Sequence, residues 1–277
     1  MNFVNNRSYL LKGRMMTILQ KILTKKANAV ALLKEQTNEK NFEIIANQQP
    51  PARSLVEAIR SCPHVPVIAE IKKASPSRGT ILANADIVNI ANQYQNGGAV
   101  AISVLTEHDY FNGCIDDLKT IRQSIDILVL RKDFIIDPIQ IVEARAAGAD
   151  TVLLIAAALE FEKLKSFFDL CMQFGMIPLI EVHNEEELST VMRLEPELIG
   201  INNRNLKTMQ VDINTSAKLR KKIPDSICVV GESGISTADQ ISFLINEGIN
   251  AFLIGTALMT SGRPEQTLKT LLNHDSS

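Results

Sequence analysis

No two cysteines in this 277-residue chain stand close together. Cys62, Cys114, Cys171 and Cys228 are each more than fifty residues from the next and none forms a CxxC pair, so a zinc site or redox couple has little support. Cys171 and Cys228 lie in apolar stretches and read as small core residues. Positive charge is not in excess: 29 Lys and Arg against 31 Asp and Glu leave a net charge of −2. That argues against a protein that coats nucleic acid, while leaving room for a local site for a small phosphate. Long apolar runs are missing too. The longest, Val152–Leu159, has eight residues, where a membrane span needs about 18. The opening MNFVNNRSYLLKGRMM has no apolar core and no small-residue cleavage site, so it is not a secretory signal and the expected location is the cytoplasm.

Motifs for several chemistries are absent as well. No GxSxG nucleophile elbow occurs, and the first strand-to-helix turn, KKASPSRG, lacks the GxGxxG of a dinucleotide fold. His64, His108 and His274 are scattered, and His183 stands two residues from Glu181. With the other histidines far off, the two are not expected to act as joint metal ligands. No metal and no cofactor is expected.

What the chain does have is repetition. Eight short runs rich in Val, Ile and Leu occur at 65–72, 99–106, 127–134, 151–157, 176–182, 198–204, 227–234 and 251–258. Each is continuously apolar rather than alternating, as a parallel strand buried on both faces must be. Helical segments lie between them, among them Asp86–Asn96, Asp137–Ala147, Glu160–Phe174 and Thr237–Glu247. Several begin on an acidic or hydroxyl residue that suits a helix N-terminus. Glycine stands just ahead of a strand in GGAVAI, AGADTVLL, FGMIPLI and EGINAFL, the place of a helix C-terminal glycine. Strand–helix alternation implies right-handed parallel crossovers. Eight units in about 200 residues give an α/β fold, a closed (β/α)₈ barrel, rather than an open sheet.

The barrel is expected as a single domain over residues 17–277, with 17–60 as a helical extension packed on it. Thr17–Glu35 places Ile18, Leu19, Ile22, Leu23, Ala27, Val30 and Leu33 at amphipathic helical spacing. Residues 1–16 are expected to be a dispensable tail, with the tandem Met15-Met16 standing immediately before the first helix. No second enzyme is expected after the last helix, and the chain is expected to be a monomer.

Active sites of such barrels form at the C-terminal ends of the strands. There the sequence places Glu70, Lys72 and Ser75, then Glu107, Lys132, Glu181 and His183, Asn202 and Arg204, and Glu232 and Ser233. Charges inside apolar runs are costly unless paired, so several at one end of successive strands point to function. Ser233-Gly234 and Gly255-Thr256 have the small side chains that let backbone N–H groups approach a phosphate. The set is one of lysine and glutamate acid–base chemistry on a small phosphorylated molecule.

At this point the residues become specific. VIAEIKKASPSRG, LRKDFIID, LIEVHNEEEL, IGINNRNLKTMQVD and VGESGIST occur in the order of the strand signatures of indole-3-glycerol-phosphate synthases, and the chain resembles that family from residue 17 to about 272. The resemblance implies conversion of 1-(o-carboxyphenylamino)-1-deoxyribulose 5-phosphate to indole-3-glycerol phosphate, CO₂ and water in tryptophan biosynthesis. It implies Lys132 as the general acid toward the ribulose carbonyl and Lys72 as a contact to the substrate, with Ser75 and Arg204 nearby. Glu70 and Glu181 then share acid–base and orienting work, Asn202 holds a hydroxyl, and Glu232 lies among the substrate contacts. Ser233, Gly234, Gly255 and Thr256 hold phosphate, together with Lys72, and Phe111, Phe134, Leu153 and Leu206 form apolar walls around the anthranilate ring. The chain departs from the family pattern at PPARSLVEAIRS, at SGRP after Thr256 and at Asn205. The competing readings are another phosphate-binding barrel, such as a phosphoribosylanthranilate isomerase-like protein, and a barrel that binds a sugar phosphate without catalysis.

Overall fold

A computed structural model of the protein describes residues 16–76, 79–81 and 86–272. Eight parallel strands close into a barrel in sequence order, β1 (Val67–Ile71), β2 (Ala101–Leu105), β3 (Leu128–Lys132), β4 (Thr151–Ile155), β5 (Leu179–Val182), β6 (Leu198–Asn202), β7 (Cys228–Glu232) and β8 (Ala251–Ile254). The ring is sealed where β1 pairs with β8, Ile68 opposite Leu253. Each strand falls inside one of the eight apolar runs. Most runs overshoot their strand: the Ala156–Ala158 segment after β4 is a 3₁₀ turn, and Ala257 and Leu258 after β8 belong to a helix. An apolar run therefore marks a strand but not its end.

Side chains pointing into the barrel, among them Ile68, Leu130, Leu153, Leu179, Val230 and Leu253, form one core cluster. Those pointing outward pack under the surrounding helices in another, which includes Val67, Val129, Ile199 and Phe252. Gly98, Gly148, Gly175 and Gly248, the four glycines ahead of strands, all have φ between 71° and 93°. That is the left-handed turn from helix to strand that glycine adopts without a Cβ clash.

Three helices precede the barrel: α1 (Ile18–Gln36), α2 (Glu39–Gln48) and α3 (Leu55–Ser61). The extension, expected to pack on the barrel, reaches both of its ends. Leu55, Val56 and Ile59 of α3 join the inward-facing cluster at the N-terminal ends of the strands, while Ile18, Leu19 and Ile22 of α1 line the cleft at the opposite end. Helix α1 starts with a capping box between Thr17 and Gln20, which satisfies two of the first N–H groups. Its buried residues are Ile22, Lys26 and Val30. Ala27, expected on the buried face, is exposed, and Lys26 takes the inward position instead. The tail through residue 15 lies outside the described residues.

The remaining helices follow the strands: α4 (Ile87–Asn96), α5 (Ile115–Ser124), α6 (Pro138–Ala146), α7 (Phe161–Gln173), α8 (Glu185–Met192), α9 (Asn214–Arg220), α10 (Ala238–Asn246), α11 (Thr256–Met259) and α12 (Pro264–Leu272). Asp86, Asp137 and Thr237 accept from the first backbone N–H groups of α4, α6 and α10. Glu160 precedes α7 without making such a bond.

Candidate active site

The innermost polar layer comes from the odd-numbered strands. Glu70 on β1, Lys132 on β3, Glu181 on β5 and Glu232 on β7 sit at or near the C-terminal ends of their strands, as alternate strands contribute to one layer of such a barrel. Lys132 Nζ lies 3.1 Å from Glu181 Oε2 and 3.4 Å from Glu232 Oε2. Lys72, one residue past β1, places its Nζ 2.5 Å from Glu70 Oε2. Room for the carboxylates comes from glycines on the neighbouring even strands. A Cβ at Gly255 would collide with Glu70 Oε2, and one at Gly200 with Glu232 Oε1. Gly255, expected as a phosphate contact, thus has a second reason to be glycine.

Burial opposes the charge on Lys132, but Glu181, Glu232 and Glu70 outweigh it and hold its pKa above the ordinary lysine value. Burial likewise opposes ionised Glu181, yet Lys132 and His183 prevail and keep its carboxyl well below the usual range. Glu232 differs. Burial raises it, Lys132 offsets this only in part, the nearby Glu181 and Glu70 charges add to the rise, and its pKa is pushed up to about 8. The layer thus favours an ionised Glu181 beside a charged Lys132 and favours the protonated form of Glu232.

Two adjoining cavities open above this layer. One, of about 910 Å³, is walled by Phe111, Phe134, Leu153, Leu206, Met209 and α1 residues, with Ser75 and Asn202 also lining it. The two phenylalanine rings are 6.2 Å apart and tilted by 35°. The other, of about 1060 Å³, is lined by Ser233, Gly234, Ser236, Gly255 and Thr256. Glu70, Lys72, Lys132, Arg204, Ser233 and Thr256 border both; Glu232 borders the second alone. Every site residue that the family resemblance implies therefore lies on this double cleft, while Glu107 and His183 line neither lobe.

The polar lobe is built from backbone. Ser233 and Gly234 have φ of 64° and 78°, two successive left-handed residues, and a non-glycine residue held there is strained. Asn203 secures the turn by donating from Nδ2 to the Ser233 carbonyl, while its Oδ1 accepts from Ser216 N and Oγ. Gly255 stands at the N-cap of α11 and offers no side-chain cap, so the first N–H groups of the helix lack a side-chain acceptor.

Several functional neighbours were not foreseen. Glu107, noted at the end of β2, does not line the cleft. Its carboxylate accepts from the backbone N–H groups of Asp109, Tyr110 and Phe111, which holds the loop that presents Phe111. His183, set aside in the sequence as a metal ligand, follows Glu181 by two residues, the spacing that keeps to one strand face, and just past the end of β5 its Nε2 comes 3.2 Å from Glu181 Oε1. That same-face spacing was the sequence signal that could have placed the two side chains together. Met209 and the α1 wall carry no local signal of a site.

The fold alone is shared with enzymes of other names. The thiamine phosphate pyrophosphorylase of Pyrococcus furiosus superposes with a TM-score of 0.58 at 17% identity, over 79% of this chain and 96% of that one. The N-acetylmannosamine-6-phosphate 2-epimerase of Clostridium perfringens gives 0.57 at 15%, over 79% and 95%. Sequence comparison discriminates where the fold does not. Indole-3-glycerol phosphate synthases of Chloroherpeton thalassium and Acinetobacter baylyi are 44% and 41% identical to this chain, over 251 and 256 residues. Those alignments cover 90% and 92% of this chain and 96% and 95% of the relatives. The family model described as indole-3-glycerol phosphate synthase matches residues 19–271, a span that takes in α1 as well as all eight strands, and on that match the chain belongs to the indole-3-glycerol phosphate synthase family.

Proposed function

We propose that this chain makes indole-3-glycerol phosphate from 1-(o-carboxyphenylamino)-1-deoxyribulose 5-phosphate in tryptophan biosynthesis, as a carboxy-lyase working on a small molecule in the cytoplasm. The observation that carries the assignment of roles is the position of Lys132, charged and held between Glu181 and Glu232 at the junction of an apolar and a polar lobe. The apolar lobe suits the anthranilate ring between Phe111, Phe134, Leu153 and Leu206. The polar lobe suits the phosphate, through the backbone at Ser233, Gly234, Gly255 and Thr256, with Lys72 and Arg204 lining the same cavity.

The chemistry then follows the groups present. Lys132 gives a proton to the ribulose carbonyl oxygen as the ring carbon bearing the carboxylate attacks the carbonyl carbon. That carbon–carbon bond closes the five-membered ring, and departure of CO₂ returns its electron pair to the aromatic system. The new hydroxyl leaves as water after accepting a second proton, for which Lys72 is the donor in reach. Glu181, ionised, takes a proton from the methylene carbon next to nitrogen. Two protons are given and one is recovered, so each turnover from the carboxylate draws one proton from solvent. Glu70 holds Lys72, Asn202 faces a substrate hydroxyl, and Ser75 and Arg204 border the substrate carboxylate. The substrate is the only partner this scheme needs, and the reaction proceeds in a monomer. The extension over residues 17–60 acts as part of the single domain, because α1 supplies cleft wall and α3 closes the barrel.

Ultraviolet absorbance of indole on adding the carboxyphenylamino ribulose phosphate tests the proposal. Formation of indole-3-glycerol phosphate, with kcat lowered about 10²–10⁴-fold in Lys132→Ala and KM little changed, is the expected result. No indole from the wild-type chain removes the reading, and a Lys132→Ala variant with half the wild-type kcat removes Lys132 from the role of acid.

A further inference from the structure

We infer that His183 is a positioning residue for Glu181: backed by Glu187, it takes the carboxylate oxygen that Lys132 leaves free. This rests on the reading of Glu181 as the base. Glu181 Oε2 is 3.1 Å from Lys132 Nζ, while Oε1 is 3.2 Å from His183 Nε2. The other ring nitrogen, Nδ1, lies 3.0 Å from Glu187 Oε2, and the same oxygen accepts the His183 backbone N–H at 2.8 Å. Asn184 Nδ2 donates to the second Glu187 oxygen at 2.6 Å, and Glu187 N–H donates back to Asn184 Oδ1. Glu187 is thus fixed within the first turn of α8, and a proton on Nδ1 is directed at it.

The histidine side chain is only 7% exposed. Its Nε2 is close to Glu181 but off the hydrogen-bond line, and it has no other partner among the described residues. Lys132 and His183 therefore share one carboxylate, which at rest leans to Lys132. When Lys132 surrenders its proton, Glu181 loses that counter-charge inside a buried layer, where an uncompensated carboxylate is costly. A small rotation brings Oε1 into line with Nε2–H. His183 keeps Glu181 ionised and in place through the part of the cycle in which Lys132 is neutral. The charged groups around the ring are Glu181 on β5 and Glu187 on α8, with Glu160, Glu186, Arg193 and Lys207 lining the outer cleft beside it. Burial opposes the imidazolium, but the two adjacent carboxylates outweigh it and push its pKa up to about 10.

The test compares His183→Gln and Glu187→Gln with the wild-type chain. In His183→Gln, kcat is expected to fall about 10–100-fold, the scale of a misplaced reacting group, with KM within about twofold. The acid limb of its kcat profile is expected to move to higher pH, because Glu181 has lost a cation. Glu187→Gln is expected to move the limb the same way by less. A folded His183→Gln variant with wild-type kcat and acid limb, or one in which KM alone rises, overturns the proposal. ¹⁵N NMR of histidine-labelled wild-type protein is a separate reading that needs neither activity nor a variant. The His183 ring is expected to stay doubly protonated at pH 8, and a ring titrating near its ordinary pKa of about 6.5 overturns the clamp. A wild-type chain that makes no indole but passes the NMR test removes the functional reading and leaves the contact standing.

Discussion

Lys26 Nζ of helix α1 lies 2.6 Å from Asp133 Oδ1, with the two side chains only 9% and 1% exposed. Asp133 follows Lys132 directly, and its second oxygen accepts from Thr106 Oγ1 and Arg131 Nη2. Arg131 in turn pairs with Glu143 at 2.8 Å. One ammonium thus joins the cleft-lining helix to a buried network at the end of β3. Removing it leaves Asp133 with less compensation, and breaking a buried pair from one side costs about 3–5 kcal/mol. Lys26→Met is therefore expected to lower the denaturation midpoint and to raise KM, since Ile18, Leu19 and Ile22 lose their anchor. Urea titration and steady-state kinetics check both, and a variant matching wild type in each removes the clasp.

The two carboxylates beside Lys132 are expected to answer differently to amide substitution. Glutamine copies the protonated form, which is the form of Glu232 below a pKa of about 8. Glu232→Gln is expected to lose less than about 10-fold in kcat at neutral pH, and Glu181→Gln about 10²–10⁴-fold, the range for a lost acid or base. Kinetics at pH 7 decide it: equal losses contradict the assignment of one ionised and one protonated group.

Gly255→Ala places a methyl group where Glu70 Oε2 now stands. The residue has φ −123°, so the backbone accepts alanine and the effect is steric. The fold is expected to survive while the Glu70–Lys72 pair shifts and kcat falls by at least about 10-fold, the scale of a misplaced catalytic group. Unchanged kcat in the folded variant shows that the carboxylate has somewhere else to go.

The His183 pKa gives a signed stability effect. Its folded value, about 10, lies above the unfolded one of about 6.5. The stabilisation is therefore complete below pH 6.5 or so and is lost as pH rises through about 10. Denaturation midpoints of wild type and His183→Gln are expected to converge over that window. A constant difference across it contradicts the shift.

Among the described residues no group of three or more His, Cys, Asp and Glu is placed to hold a metal ion. Turnover is accordingly expected to persist after exhaustive dialysis against EDTA. Loss of activity restored by Mg²⁺ or Zn²⁺ would show a metal site where none is expected.

Strands were legible because a barrel strand is apolar on both faces, and helix ends because Gly98, Gly148, Gly175 and Gly248 need the left-handed turn. The charged strand ends were legible for the converse reason: Glu70, Lys132, Glu181 and Glu232 interrupt apolar runs and must be paired. Lys26 was not, since a lysine on a surface helix reads as solvated until the distant Asp133 is seen beneath it. The nearness of His183 to Glu181 was legible in principle, since residues two apart on a strand share a face, but nothing local says that Glu187 backs the ring. The α1 wall looks in sequence like any amphipathic helix, and nothing local says that its apolar face looks onto a cleft rather than a solid core.

The pairing of β1 with β8 also sets an order of events during synthesis. The barrel cannot close until residues 251–254 have left the ribosome, since the first strand waits for the last. Helix α1 emerges earlier still, yet Asp133 and the cleft walls that receive it come from the middle of the chain. For most of translation the apolar residues of the N-terminal arm have no partner, although domains otherwise tend to fold as they emerge, at roughly 5–20 residues per second. Until the barrel closes, any sheet that the emerging strands form keeps two unpaired edges, the kind of surface that invites aggregation.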